Sequence, residues 1–249
     1  MSLPGRIVCV SNFIKRVIIE NTGINEDKLV VIKNPIDFES FSDCRINPDT
    51  HLRNKLGITK DEVVILFVGR IVENKGIKYL LQAMLQLEAN FPVKLIVIGS
   101  FGSNFGLSEK NDGFKNDILS LAKELGEKVI FTGFVNNLQL PAYHSFAHIV
   151  TMPSWVDESA GKVAMEALAS GLPVITTTAG GIPEYITQEA GILLDRDDQF
   201  VENLKKSLET LINDADKRLQ MGNMGKKLAF EFHPNRFYND YINLVNKTS

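Results

Sequence analysis

Short apolar runs alternate with stretches of helical periodicity along this chain. The segments 6–10, 30–32, 63–68, 93–99, 128–132, 147–152 and 173–177 are mostly apolar at consecutive positions, which predicts strands buried on both faces. Between two of them, Ile77, Leu80, Leu81, Met84, Leu85 and Leu87 form an apolar face and predict a helix over 76–90. Related patterns predict helices 114–125, 137–146 and 161–170, the last ending at Gly171, a residue suited to the left-handed turn after a helix. From about residue 197 onward the pattern reads as helices, with His233-Pro234 marking a break before the final one. Strand and helix in alternation predict an α/β fold, a doubly wound parallel sheet of Rossmann-like type over about residues 35–230. Residues 40–60 read as a linker with one short helix. The stretch carrying Gly102, Gly106 and Gly113 is a loop longer than most such connections and therefore a candidate binding loop.

Composition narrows the function classes. With 249 residues and 44% hydrophobic content the chain can bury a sizeable core, as one large domain or as one domain plus part of another. A net charge of -3 without a long single-sign run argues against nucleic-acid binding. Cys9, Cys44 and the four histidines have no metal-ligand spacing, so no metal is expected. There is no apolar run of membrane-spanning length and no signal-peptide pattern at the start, so the reducing cytoplasm is the default location. Met1-Ser2-Leu3 looks like an expression leader and a strand follows almost at once, which suggests a piece cut from a longer protein.

Two segments carry the chemistry. Gly69-Arg70-Ile71-Val72-Glu73-Asn74-Lys75-Gly76 sets two cations and two glycines at the end of the strand 63–68, which suits an anion at the carboxyl edge of a parallel sheet. Arginine offers a planar fork for phosphate oxygens and lysine a compact charge, and Gly76 begins a helix whose free amides also favour anions. Glu158-Ser159-Ala160-Gly161-Lys162-Val163-Ala164-Met165-Glu166 places two carboxylates eight positions apart around a glycine that opens a helix. Glu166 lies in an apolar run, where an unpaired carboxylate is costly, so it needs a partner or an exposed face. Cations for a diphosphate and carboxylates for sugar hydroxyls together suggest a nucleotide-sugar site. The alternatives are an incidental Arg and Lys on a solvated loop, Glu166 on an exposed helical stripe with Glu158 an ordinary loop acid, or a paired-carboxylate hydrolase.

These motifs, with Gly180-Gly181-Ile182-Pro183-Glu184, the phrase Glu166-Ala167-Leu168-Ala169-Ser170-Gly171-Leu172-Pro173-Val174-Ile175, and Asn34-Pro35-Ile36-Asp37 followed by Phe41, resemble family 4 glycosyltransferases in order and spacing from about residue 6 to 245. The resemblance implies one half of a GT-B architecture, two Rossmann-like domains facing across a cleft. Residues 1–34 would be the leader and the end of the acceptor-side domain, 35–230 the donor-binding domain, and 231–249 the helix that crosses back. It further implies a retaining, metal-independent, hexosyltransferase-type enzyme without a cofactor, with a nucleoside-diphosphate sugar as donor and UDP as the default nucleotide.

By resemblance, Arg70, Lys75 and Glu158 form the catalytic set. Gly69, Arg70 and Lys75 surround the diphosphate, Glu166 holds the ribose, and Glu158 holds the donor sugar. Ala160, Gly161, Lys162 and Val163 join the donor pocket, and backbone amides at Gly181 and Ile182 touch sugar or phosphate. The loop at Phe134 and Val135 receives the base through main chain, while the two side chains are expected to pack as ordinary apolar groups. The acceptor, a polysaccharide, lipid or small molecule, would bind to the absent domain, leaving peripheral association of the parent with the inner face of a membrane open. Polysaccharide biosynthesis is the expected setting. Two departures stand out. The segment Ser159-Ala160-Gly161 lacks the family's aromatic residue, and the N-terminal domain is absent, so the fragment alone is expected to bind donor without transfer. An epimerase of the same fold and a non-catalytic nucleotide-sugar-binding module are the competing readings. With its usual partner missing, the final helix, carrying Phe237, Tyr238 and Tyr241, is expected to show an exposed apolar face.

Overall fold

A computed structural model of the chain describes residues 5–87, 92–102 and 112–248. The first elements, β1 (Ile7–Cys9), α1 (Asn12–Thr22) and β2 (Leu29–Val31), form a small two-stranded parallel sheet with its crossover helix. Two short helices follow, α2 (Phe38–Ser42) and α3 (Thr50–Lys55). The main sheet is then laid down by β3 (Val63–Val68), α4 (Ile77–Leu85), β4 (Val93–Ile98), α5 (Asp112–Leu125) and β5 (Val129–Gly133). It continues through α6 (Leu140–Phe146), β6 (Ile149–Met152), α7 (Lys162–Ala169), β7 (Val174–Thr177) and β8 (Gly191–Leu194). Helices α8 (Phe200–Asn213), α9 (Ala215–Ala229) and α10 (Pro234–Thr248) close the chain.

The six strands of the main sheet run parallel in the order β5-β4-β3-β6-β7-β8. Counted from β3 this is the Rossmann order 3-2-1-4-5-6, so the winding direction reverses between β3 and β6. Connections from those two strands leave in opposite directions, and a crevice opens between their carboxyl ends. Alternation along each strand divides the core. Val64, Leu66, Ile96, Val150 and Val174 face one layer with α6 and α7. Ile65, Phe67, Leu95, Ile149 and Ile175 face the other with α4 and α8. Both faces are therefore dry, which is why the strands read as continuous apolar runs.

The structure revises three expectations. Residues 40–60 are not a linker: Phe41 and Ile58 are buried, and the Phe41 ring meets the His144 ring edge-on at 5.0 Å. Strand β8 went unpredicted, because four residues between polar neighbours become a strand only by pairing with β7. Helix α4 ends at Leu85, and residues 88–90 of the expected helix lie outside the described residues. So do Gly106 and most of the expected binding loop. The expected apolar face of the last helix is present: Tyr238, Tyr241, Ile242 and Val245 are all exposed. Among the described residues no helix is long and apolar enough to cross a membrane.

A cluster of hydrogen bonds at Glu184 and Tyr185 joins the two sheets. Helix α1 has no acidic residue in its first turn, and Ser11 caps only the Ile14 N–H. The remaining amides are met by Glu184, which accepts from Asn12 N at 2.7 Å, from Asn12 Nδ2 at 2.8 Å and from Phe13 N at 2.7 Å. Lys33 Nζ donates to the Glu184 carbonyl at 2.8 Å, and the Tyr185 hydroxyl donates to Val10 O. Burial pushes the Glu184 carboxyl up, but the hydrogen bonds from Asn12 and Phe13 more than reverse this and hold it below the usual range.

Replacing Glu184 with Ala should therefore destabilise the fold by about 1 kcal/mol, since two helix-end amides lose their capping acceptor. A group with a depressed folded pKa contributes above its unfolded pKa and stops contributing as pH falls through the folded value. The gap between wild type and variant in thermal melts should thus be full at neutral pH and close on acidification. Hydrogen exchange at Asn12 and Phe13 should accelerate in the variant.

Candidate functional site

The residues singled out in the sequence fall in a row along the carboxyl edge of the main sheet. In sheet order they are Phe134 and Val135 after β5, Gly69 to Lys75 after β3, Glu158 after β6, and Gly180 and Gly181 after β7. The switch point lies in the middle of the row, between the loops that carry Lys75 and Glu158.

Backbone contact joins those two loops. A Cβ built on Gly76, whose φ is +72°, would lie 1.8 Å from the Pro153 carbonyl oxygen, so only glycine permits the approach. Trp155 N donates to Asn74 O at 2.9 Å across the same seam. The result is an ion pair between Lys75 Nζ and Glu158 Oε1 at 2.5 Å, with both side chains mostly shielded from solvent. The Ser154 hydroxyl donates to the same Glu158 oxygen.

On the other side, Glu158 is held by main chain. Its carbonyl accepts from Gly181 N at 2.7 Å, and its backbone forms an isolated parallel bridge with Gly180. A Cβ on Gly180 would stand 2.5 Å from Glu158 O, and one on Gly181 would stand 2.4 Å from Ser159 O. The paired glycines are thus a steric requirement for placing Glu158.

Lys75 and Glu158 line a cavity of about 180 Å³ whose floor is Phe67, Val68, Gly69 and Met152. Gly161, Lys162 and Val163 complete it, so the first turn of α7 opens onto the same space. Amides at the start of a helix lack partners within it and carry partial positive charge. The cavity thus combines two lysines, a helix amino end and one carboxylate, a set that fits an anion joined to a hydroxylated group. Among the described residues no group of three His, Cys, Asp or Glu is placed to hold a metal ion.

Glu166 sits one turn further along α7 and is only 4% exposed. It is not on an exposed stripe. Its carboxylate lies 3.5 Å from Lys162 Nζ. Burial pushes its pKa up to about 6, against the pull of Lys162 and with a further push from the charge of Asp37.

Other expectations need correction. The amides of Gly181 and Ile182 are already engaged, to Glu158 O and to Ala179 O, so they act as scaffold and are not free donors. Gly76 is buried and its N–H is given to Glu73 O, so that residue is not an open anion donor either. Phe134 does not pack: it is 77% exposed beyond the edge strand β5, whereas Val135 is half-buried against the core. Two strand spacings separate β5 from β3, about 10 Å, so Phe134 stands apart from the ion pair. Arg70 is exposed and is not among the residues that line the cavity, and Ala160 is buried in the core. The sequence reading left out Ser154 and took Asp37 only as part of a motif, with no role beside Glu166. A serine four positions before Glu158 carries little signal by itself, and Asp37 reaches Glu166 only because α2 packs on α7.

Similarity to known proteins extends over most of the chain. The sequence profile of the family described as Glycosyl transferases group 1 matches residues 48–228, more than half of the chain. An uncharacterized glycosyltransferase of Methanocaldococcus jannaschii is 35% identical over 188 residues, covering 74% of this chain and 45% of its own length. The lipopolysaccharide 1,2-N-acetylglucosaminetransferase of Salmonella typhimurium is 35% identical over 192 residues, covering 74% of this chain and 48% of its own. The chain therefore spans about half the length of the curated relatives it matches. Anabaena HepE, solved in complex with UDP-glucose, superimposes with a TM-score of 0.82 at 22% identity, over 98% of this chain and 64% of its own.

The buried carboxyl of Glu166 makes a prediction that needs no ligand. Its folded pKa of about 6 lies above the usual carboxylate value of 4.5. Between those values the unfolded chain has released the proton while the folded one keeps it, so stability falls as pH rises. The penalty at neutral pH is about 2 kcal/mol, from 1.36 kcal/mol per unit. Glu166→Gln should raise the melting temperature at pH 7 and not at pH 4, as followed by circular dichroism. An equal effect at both pH values would refute the assignment.

Proposed function

This chain belongs to the group 1 glycosyl transferases, and from that premise we propose that it is the donor-binding half of a retaining, metal-independent family 4 enzyme. In this reading it binds a UDP-sugar and, with an acceptor-side domain, transfers a hexose to an acceptor hydroxyl on a polysaccharide, lipid or small molecule. The ion pair of Lys75 with Glu158 at the switch point is the observation that carries the proposal. UDP is the chosen nucleotide because HepE, which shares the fold, is seen with UDP-glucose. We assign the reaction to the cytoplasm, at the inner membrane face when the acceptor is lipid-linked.

The mechanism follows from what is held where. The diphosphate enters the cavity at the start of α7 and competes with Glu158 for the Lys75 ammonium. Lys75 moves from carboxylate to phosphate, and Arg70 closes on the diphosphate from the loop after β3. Glu158 Oε1, released from Lys75 and still bonded to Ser154, accepts hydroxyl protons of the donor sugar. Glu166 accepts from the ribose, whose hydroxyls replace the water lost by burial. As the sugar–phosphate bond breaks, negative charge grows on the leaving diphosphate, and both cations gain most at that moment. The acceptor hydroxyl attacks the face that the diphosphate leaves, passing its proton to a departing phosphate oxygen, so the configuration is kept. No metal or cofactor has a part in this scheme.

Calorimetric titration of this chain with UDP, GDP and ADP tests the reading. UDP should bind, and Lys75→Ala should weaken it tenfold or more, about 1.4 kcal/mol. Glu158→Gln should bind UDP as well as wild type or better, because the carboxylate that competes for Lys75 is gone. A loss of UDP affinity in Glu158→Gln equal to that in Lys75→Ala would overturn the exchange of partners. In the full-length parent, Arg70→Ala and Lys75→Ala should both lower kcat, and unchanged turnover in both would overturn their role in the transition state.

A further inference from the structure

The opposite edge of the main sheet holds a second cavity, of about 310 Å³, at the amino ends of β6 and β7. That volume is at the low end of the range for small-molecule sites, about 300–1,000 Å³. Arg45, Arg218 and Lys226 all line it, together with His148, Ser170 and Asn223, and no acidic residue does.

The three cations have a structural reason to be there. Arg45 Nη1 donates to Ala147 O at 2.5 Å, Arg218 Nη1 to Leu211 O and Ile212 O at 2.5 and 2.9 Å, and Lys226 Nζ to Ser42 O at 3.3 Å. These carbonyls lie at the ends of α6, α8 and α2, where cations are favoured. Capping does not exhaust them. A guanidinium has five N–H donors, and each arginine directs one nitrogen to carbonyls and keeps the others. Among the described residues none of the three forms an ion pair; Asp214, which caps α9, is the acid whose charge reaches Arg218. Helix-end carbonyls and Asp214 offset part of this charge, but the wall itself presents three cationic side chains and no carboxylate.

His148 supplies a neutral donor on the same wall. Its Nδ1 accepts from Val64 N at 2.9 Å, so the proton of the neutral ring is on Nε2. Burial, then the charges of Arg218, Arg45 and Arg53, push its pKa down to about 4, so it stays neutral near pH 7.

We infer that this cavity is a second anion site, for a compact phosphate-bearing ligand, separate from the crevice at the carboxyl edge. The two are joined by α7, whose first turn opens on the crevice and whose end is held by Ser170, the hydroxyl of which donates to Glu166 O at 2.9 Å. The phosphate is either that of a soluble molecule or that of a lipid headgroup, and the test separates them.

Inorganic pyrophosphate is titrated calorimetrically into the full chain carrying Lys75→Ala, which weakens binding in the crevice. One site should remain, weakened at least tenfold by Arg218→Gln and by Asn223→Asp. The second variant adds a carboxylate at the exposed rim, removes no helix cap, and should leave UDP binding of the otherwise wild-type chain unchanged. In parallel, the chain is sedimented with vesicles of phosphatidylcholine, with and without phosphatidate. Pyrophosphate binding lost in Asn223→Asp supports a soluble ligand, and phosphatidate-dependent sedimentation lost in Asn223→Asp supports a headgroup. Neither response at millimolar pyrophosphate, or responses that Asn223→Asp leaves intact, would overturn the site.

Discussion

The carboxyl edge of the main sheet depends on main chain touching main chain. The Pro153 carbonyl occupies the place where a side chain on Gly76 would stand, and the backbone of Glu158 and Ser159 occupies it for Gly180 and Gly181. Three loops, after β3, β6 and β7, are thereby locked into one block. An added methyl at Gly76 would push the β3 loop away from the β6 loop and take Lys75 with it. The positions of the charged groups follow from the steric one, because contacts below 3 Å are far stiffer than an ion pair between flexible side chains.

Within that block the charges compensate one another. Lys75 and Glu158 are both mostly shielded, and neither would sit comfortably there alone. Pairing them offsets the cost of shielding both charges while leaving each able to change partner. Glu166 is less well served. Lys162 is largely exposed, and at 3.5 Å it only partly offsets the loss of water around the carboxylate. A buried carboxyl kept at a disadvantage is what a hydroxyl-bearing ligand can relieve, so the stability lost at Glu166 and the affinity proposed for it have the same origin.

The motif around Gly180 shows how a local pattern can be legible while its purpose is not. Gly180-Gly181-Ile182-Pro183-Glu184 stands out in the sequence as a turn near a ligand. In the fold its glycines position Glu158, its amides close on neighbouring carbonyls, and its glutamate caps a helix 172 residues away. The block that forms the crevice is therefore also the clamp that holds the small sheet of β1 and β2 against the large one. Phe134 teaches the reverse lesson. An aromatic residue next to Val135 reads as core, yet the strand before it is at the sheet's edge, and the ring extends beyond the layer that would have covered it.

Hydrophobic periodicity is a property of neighbouring residues, so the sequence alone determined the alternation of strand and helix, the doubly buried strands and the placement of each motif at the end of a strand. It also marked Glu166 as a carboxylate in need of company. Strand order is not a local property. That β6 pairs with β3 rather than following β5 outward was decided by tertiary packing, and with it the meeting of Lys75 and Glu158, which lie 83 residues apart. The same holds for β8, a strand only because β7 offers it an edge, and for Asp37, whose charge reaches Glu166 through the packing of α2 on α7. In each case residues distant in the chain share one desolvated space, and the energy of that encounter belongs to the fold rather than to either segment.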